Sequence, residues 1–310
     1  MSPVSGAERT RLAAAGARAT VAARVARQPR GDVIRGRIFV LVLLVALSTA
    51  LIGLALLLID AFGEGMGRFG IDLFTDKTAP FPADSGFQTA ILGTIWVIGG
   101  VILFSVPIGV GAAIYLEEYA DGTRWWNRLI EVNIQNLAAV PSIVYGILGL
   151  AFIVRGPLDL DFVILAGSLT LTLLVLPTIV IASREAIRAV PPSIREGSLA
   201  LGATRWQTIR RQVLPASIPG ISTGTILAIS RAIGETAPLL LVGASVFASF
   251  NPNSPFDRYT VLPVQIYNYF KEAQDEYYVL AAAGIIVMLI LVLAMNSVAI
   301  WLRNRYEQAW

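Results

Sequence analysis

The sequence contains no cysteine, no histidine and only two lysines. Without cysteine there is no thiol nucleophile and no disulfide, and without histidine the commonest general base and zinc ligand is missing. The two lysines, Lys77 and Lys271, follow an aspartate and a phenylalanine, so neither belongs to a Gly-Lys-Ser/Thr phosphate-binding loop. These absences exclude thiol enzymes, zinc sites and a P-loop ATPase, and we expect no cofactor and no metal.

Charged residues are also scarce. They make up 15% of the 310 residues, against roughly 25% in soluble domains, while 55% of the chain is hydrophobic. Carboxylates near the apolar runs are limited to Asp60, Glu117, Glu118 and Glu235, so the aspartate pair of an intramembrane protease is missing. The composition therefore predicts an all-α integral membrane protein that acts as a conduit or scaffold, not as an enzyme, because lipid offers no partner for free backbone groups.

Six apolar runs have about the length of roughly 20 residues that a membrane-crossing helix needs. They cover residues 37–62, 89–116, 137–154, 162–183, 219–248 and 278–302. The sequence thus predicts six transmembrane helices in one domain over 37–302. We expect residues 1–36, rich in alanine and arginine, to be a solvated and poorly ordered cytoplasmic arm; a transit peptide is the alternative. Residues 303–310 would form a cytoplasmic tail.

The arginines are distributed unevenly about these runs. One side carries most of them: Arg9, Arg11, Arg18, Arg24, Arg27, Arg30, Arg35, Arg37, Arg184, Arg188, Arg195, Arg205, Arg210, Arg211, Arg303 and Arg305. The loops on the other side carry only Arg68, Arg155 and Arg258 with the two lysines. Because basic loops stay inside, this pattern predicts six spans with both termini cytoplasmic.

The longest segment on the basic side, residues 184–218, predicts two short helices joined by a turn. Pro191 and Pro192 suit a helix start, and Ser193 with Glu196 has the spacing of a capping box. Gly202 would permit the turn, and Thr204 would cap the second helix, which begins at Arg205.

This segment resembles the EAA loop of bacterial ABC importer permeases. The similarity lies in Glu196 with small residues after it, in Gly202, and in Leu214-Pro215, whereas Gln212 stands where the family has isoleucine. The resemblance implies a MetI-like permease architecture whose coupling helix contacts a separate nucleotide-binding subunit. It implies that this contact involves Glu196, Gly202, Ala203, Thr204 and Arg205.

Arg231 and Glu235 are the only formal charges between Arg211 and Asp257. On a helix they would share a face and could pair, and a run over 219–248 would place Arg231 near the bilayer centre. A charge there is costly and usually functional. We expect both to face an aqueous pathway, where Arg231 would bind a tetrahedral oxyanion beside the hydroxyls of Ser230 and Thr236. A buried pair that joins two helices is the alternative.

Three stretches resemble phosphate ABC transporter permeases, most closely those of the PstA type: "SRAIGETAPLLLVGA" (230–244), "AVPSIVYGILGLA" (139–151) and "VLPVQIYNY" (261–269). The resemblance implies a bacterial inner-membrane location, phosphate as cargo and a PstC-like second permease subunit. It also implies two PstB-like ATPase subunits that hydrolyse ATP and an extracytoplasmic PstS-like phosphate-binding protein.

Two other functions stay open at this point. Sulfate, molybdate or another oxyanion could be the cargo, because the binding protein largely sets that choice. A secondary transporter could instead use Glu235 as a proton relay without any ATPase, although the EAA-like segment disfavours it. We do not expect the protein to bind nucleic acid.

Overall fold

The computed structural model describes residues 30–244 and 250–306, and every regular element in this part of the chain is a helix. The α-helices are α1 Arg30–Gly65, α2 Asp72–Thr75, α3 Gln88–Ile114, α4 Trp125–Ala138, α5 Ser142–Leu148, α6 Ile164–Arg188, α7 Pro192–Ala200, α8 Arg205–Thr208, α9 Leu214–Gly234, α10 Ala237–Leu241, α11 Leu262–Phe270 and α12 Asp275–Tyr306. A 3₁₀ turn covers Pro82–Asp84, and π-helical turns follow α3, α5 and α8 at Tyr115–Tyr119, Gly149–Val154 and Ile209–Val213.

The chain divides into two compact units, Met1–Asp60 and Ala61–Trp310. The described part of the first unit is helical from Arg30 onward, so residues 30–36, predicted as part of the arm, belong to a helix. The rest of that arm lies outside the described residues, as does the end of the tail from residue 307.

Five helical stretches are long and apolar enough to cross a membrane: Ile34–Gly65, Gln88–Tyr119, Ile164–Arg188, Arg205–Gly234 and Asp275–Arg305. A sixth would be the pair Trp125–Ala138 and Ser142–Val154, which bends by 107° at its break. The membrane-spanning, all-α architecture predicted from the sequence is therefore confirmed.

The prediction of one helix over 137–154 is wrong. Helix α4 ends at Ala138, and α5 begins at Ser142 with Pro141 as its N-cap residue. Proline has no N–H to donate and disfavours helical geometry in the residue before it. Pro141 therefore separates two helices that a hydropathy window counts as one.

The prediction of one helix over 219–248 is also wrong. Helix α9 ends at Gly234, Glu235 is extended (φ −73°, ψ 118°), and α10 covers only Ala237–Leu241. Gly234 is a poor helix former, and Pro238 cannot donate to the carbonyl group of Gly234. The described residues stop at 244 and resume at 250.

Small residues bring the central helices of the second unit close together. Helix α6 packs between α3 and α9, and its buried residues include Leu171, Val175 and Ile179. A Cβ added at Gly224 of α9 would lie 2.3 Å from the Cβ of Ala182. Since no room exists for a larger side chain there, the α6–α9 pair positions the C-terminal end of α9, which carries Arg231.

The basic segment forms two short helices with a turn, as predicted. Thr204 accepts from the backbone N–H of Gln207 at 3.3 Å, and the Gln207 side chain accepts from the Thr204 N–H at 2.9 Å, so the predicted cap is confirmed. Gly202 has φ +85°, which favours glycine. The predicted capping box of Ser193 with Glu196 is wrong, because α7 already begins at Pro192 and has no side-chain cap.

Candidate functional site

Arg231 and Glu235 do pair, but at the end of a helix and not in its middle. The Nε atom of Arg231 donates to Oε1 of Glu235 at 3.3 Å. Arg231 lies in the last turn of α9, and Glu235 is the residue that ends it. A cation in this position is favoured by the helix dipole, so the helix end itself lowers the cost of the charge.

The two side chains of this pair differ in exposure. The side chain of Arg231 is 59% exposed, whereas that of Glu235 is 15% exposed. One carboxylate oxygen of Glu235 accepts the hydrogen bond from Nε of Arg231. Among the described residues, the two terminal nitrogens of Arg231 have no hydrogen-bond partner. A guanidinium group held through Nε leaves its remaining N–H groups free, in the fork geometry that suits an oxyanion.

The hydroxyl groups predicted to flank the pair are engaged elsewhere. Ser230 donates to the carbonyl oxygen of Ile226 at 2.7 Å and lies 2.5 Å from Oδ1 of Asn296 on α12. Thr236 bonds to the Gly234 carbonyl at 3.5 Å. The structure thus brings Arg231 and Glu235 together, while the hydroxyl groups of Ser230 and Thr236 bond to other described residues and not to this pair.

The break after α9 is packed tightly against the bent pair. A Cβ added at Gly146 of α5 would lie 2.7 Å from the Cα of Pro238, and Tyr145 beside it is buried and donates to the Leu137 carbonyl at 2.8 Å. The short helix α10 that follows the second break therefore packs directly on α5, the helix that follows the first.

The predicted coupling residues lie together at the other end of α9. Glu196, Gly202, Thr204 and Arg205 are exposed, and Ala203 is half-buried. The turn also exposes Leu201, whose accessible fraction is 91%. Leu199 and Trp206, close to Leu201 in the chain, are exposed as well. Several large apolar side chains on one exposed segment are typical of a surface that binds another protein.

An ion-pair network missed in the sequence analysis lies behind this surface. Glu117 accepts from Arg188 at 2.8 and 3.0 Å and from Arg184 at 3.4 Å, and Glu131 accepts from Arg184 at 3.0 Å. The network joins the π turn after α3 to α4 and α6. The predicted topology places the end of the second span and the start of the basic segment on one side of the membrane, but it does not determine which carboxylate meets which arginine.

Arg195 connects the coupling segment to the same π turn. Its guanidinium group donates to Oε1 of Glu118 at 3.0 and 2.8 Å, and Glu118 is buried. It also donates to the carbonyl oxygens of Val190 at 2.6 Å and Ile187 at 2.8 Å, where α6 ends. Arg195 thereby fixes α7 to α6 and to the turn after α3 through four hydrogen bonds.

The structure thus combines a central apolar bundle with an exposed two-helix segment inserted before α9. The sequence profile of one family, the "Binding-protein-dependent transport system inner membrane component", matches residues 105–308. The chain belongs to this family. It is therefore a membrane-embedded permease component of an ABC-type importer.

Similar proteins support the assignment along most of the chain. The "Probable ABC transporter permease protein YqgI" of Bacillus subtilis (strain 168) is 31% identical over 83% of this chain and 94% of its own length. The "Phosphate transport system permease protein PstA" of Haemophilus influenzae is 33% identical over 81% of this chain and 88% of its own length. The resemblance to PstA-type permeases is thus confirmed.

A solved structure shows the same fold. It is that of a bacterial alginate ABC transporter in complex with its pentasaccharide-bound periplasmic protein, with a TM-score of 0.66 and 18% identity over 90% of this chain and 98% of the matched chain. At this identity the likeness concerns the fold of the permease.

Proposed function

We propose that this permease passes inorganic phosphate into the cell, with Arg231 as the residue that meets the anion. One observation carries the proposal: an exposed guanidinium group whose terminal nitrogens have no partner within the described chain, beside a carboxylate that engages only its Nε. The PstA-type relative supports phosphate over other oxyanions as cargo.

Glu235 would keep the anion from binding too tightly. A bare arginine in a low-dielectric pathway would hold a phosphate strongly, and transport requires that the anion leaves again. A carboxylate at 3.3 Å offsets part of the positive charge. It also orients the guanidinium group, so that its free edge faces away from Glu235.

The energy would come from ATP hydrolysis on PstB-like subunits that contact the exposed turn from Glu196 to Arg205. The exposed Leu201 and the positive-φ Gly202 support this contact, since both belong to a surface and not to the bundle. A PstC-like permease would complete the pathway, and a PstS-like protein would deliver phosphate from outside. Both termini would be cytoplasmic, as the arginine distribution indicates.

Uptake by cells that carry variants of Arg231 tests the role of this residue. Loss of a hydrogen-bonded charge costs roughly 1.5–3 kcal/mol, so Arg231→Gln should lower phosphate uptake at least tenfold. Arg231→Lys keeps the positive charge but loses the forked N–H groups, so its phosphate uptake should lie between that of Arg231→Gln and that of the wild type. Arg258→Gln is the matched control, because Arg258 is exposed and has no ion pair within the described residues.

Co-purification of each variant with its partner subunits separates transport from assembly. The proposal requires that Arg231→Gln still assembles while uptake is lost. Undiminished uptake would refute it, and loss of assembly in Arg231→Gln and Glu235→Gln alike would favour a purely structural pair. In the wild type, recovery of a second six-span permease and a P-loop ATPase would support the proposed partners.

A further inference from the structure

Helix α9 ends inside the membrane and not at its surface. The hydroxyl oxygen of Ser230 lies 2.5 Å from Oδ1 of Asn296, which is 21 residues past the start of α12. Because a helix rises 1.5 Å per residue, this level is roughly 31 Å from that start. Toward the other end of α12, Arg303 donates to Thr223 Oγ1 at 3.1 Å, and Thr223 precedes Arg231 by eight residues, roughly 12 Å of helix. Arg231, which follows Ser230, therefore lies deep between the two ends of α12.

An exposed face of α9 carries Arg231 at this depth. The side chain of Arg231 is 59% exposed, and an ionised side chain inside a membrane faces protein or a water-filled cavity, because contact with hydrocarbon is costly. Other exposed positions recur along the helix every three or four residues, so they share this face with Arg231. They are Gly220, Thr223, Leu227 and Gly234. This face of α9 therefore borders the same surroundings as Arg231 and not lipid.

Leu227 is the one large apolar side chain among these five positions. It is 66% exposed and lies one helical turn from Arg231 and one turn from Thr223, the residue that bonds to Arg303. The remaining two positions are glycines, which narrow nothing. An exposed leucine thus separates two polar levels on a face that borders the anion's surroundings. Hydrophobic constrictions of this kind close ion pathways by expelling water.

We propose that Leu227 closes the pathway between Arg231 and the level of Thr223 while no ATP is hydrolysed. This inference rests on the proposed function, since it takes Arg231 as the residue that meets the anion. With the second permease subunit as the opposite wall, the leucine side chain would occupy the narrow point where an anion leaves Arg231. An anion cannot keep its hydration shell there, so it would pass only when ATP-driven movement separates Leu227 from that wall.

Passive efflux through the reconstituted complex tests this role. Proteoliposomes are loaded with radiolabelled phosphate and sulfate, and efflux is followed without ATP. Leu227→Asn places a hydrogen-bonding group at the constriction and should raise efflux of both anions about tenfold or more, since one hydrogen bond to a charged group is worth roughly that factor. Leu227→Met conserves volume and apolarity and should stay within about twofold of the wild type. The matched control is Leu103→Asn, because Leu103 is 67% exposed on α3, a helix without charged residues, and it should not leak.

A thiol label gives a second readout that does not depend on leakage. Because the chain has no cysteine, Leu227→Cys and Leu103→Cys each introduce a single thiol, whose modification is read on this chain by mass spectrometry. Only a hydrated thiolate reacts readily. A charged methanethiosulfonate should therefore modify Leu227→Cys about tenfold faster during ATP hydrolysis than without ATP, whereas Leu103→Cys should react slowly under both conditions.

The outcomes separate this inference from the proposed function. If Leu227→Asn takes up phosphate with ATP but shows no extra efflux, the constriction is elsewhere and the function stands. Equal efflux from Leu103→Asn, or equal labelling of both thiols, would likewise overturn the inference, because Leu227 would then be an ordinary exposed leucine. If the wild type takes up no phosphate with ATP while Leu227→Asn still leaks both anions, the proposed cargo is wrong and the constriction stands.

Discussion

Replacing Arg195 with glutamine should loosen the coupling segment from the bundle. It should also cost more stability than replacing any other single arginine in the network. Arg195 makes two hydrogen bonds to Glu118 and two to the carbonyl oxygens of Val190 and Ile187. The Glu118 side chain is 8% exposed and that of Arg195 is 23% exposed. Arg195→Gln therefore leaves a buried carboxylate without its counter-charge.

The size of the effect follows from this burial. Removing one partner of a buried ion pair costs about 3–5 kcal/mol of stability. Because Arg195 is partly exposed, we expect a cost at the lower end, about 3 kcal/mol. Arg188 is the control: its side chain is 52% exposed, and pairs on an exposed surface are worth about 1 kcal/mol or less. The double variant Glu118→Gln with Arg195→Gln should cost less than the sum of its single variants, because it leaves no unpaired charge.

Thermal unfolding of the purified complex measures the loss of stability, and assays of uptake and ATP hydrolysis measure the loss of coupling. Arg195→Gln should unfold several degrees below Arg188→Gln, and at a permissive temperature it should hydrolyse ATP with little uptake, because α7 is no longer fixed to α6. Equal stability of the two variants would refute the reasoning about burial. Normal uptake in an Arg195→Gln complex would show that this connection does not transmit the coupling.

Three further substitutions have defined outcomes. Tyr259→Phe should raise stability by about 1 kcal/mol in a thermal melt, because the buried hydroxyl group of Tyr259 has no hydrogen-bond partner within the described residues. A lower melting temperature would contradict this. Gly202→Ala should cost about 1 kcal/mol of stability, because alanine is strained at a φ of +85°, and it should reduce uptake. Gly197→Ala is the control and should cost nothing, since Gly197 is helical and equally open around its Cβ. A larger loss of stability in Gly197→Ala than in Gly202→Ala would contradict this reasoning. Thr204→Val should cost about 1 kcal/mol of stability, because it removes the side-chain cap of α8. An unchanged melting temperature would show that α8 does not depend on this cap.

The long spans were predictable because each is a continuous apolar stretch that lipid forces into a helix. Helices α3, α6 and α12 each begin within three residues of their predicted starts. The capping by Thr204 was predictable for a similar reason, since a cap depends on residues close in sequence. Local physics was sufficient in both cases.

The helix breaks were not predictable from hydropathy, because a window average does not register a single proline. Pro141 and Pro238 both lie within apolar runs, yet each lies at the start of a new helix, Pro141 as its N-cap and Pro238 in its first turn. The second break moves Arg231 from the middle of a span to its last turn. Its pairing with Glu235 was expected on helical spacing, and it survives because Glu235 remains adjacent after the helix ends.

The ion-pair network needed tertiary information. Glu117 and Glu118 were noted only as carboxylates near a span, and Arg195 only as one of the basic residues that set the topology. Pairing them requires the relative position of the π turn after α3 and the start of α7, elements separated by more than 70 residues in the chain. Nothing in the local sequence indicates that these two elements lie close together in space.

Transport by the reconstituted complex tests the central claim most directly. The permease, its partner subunits and the binding protein are placed in proteoliposomes, and uptake of radiolabelled phosphate is followed with and without ATP, with excess sulfate or molybdate as competitors. We expect phosphate uptake that requires ATP, resists a protonophore and is not reduced by either competitor. Uptake that continues without ATP and collapses with a protonophore would contradict the account and would make Glu235 the proton-coupled residue of a secondary transporter.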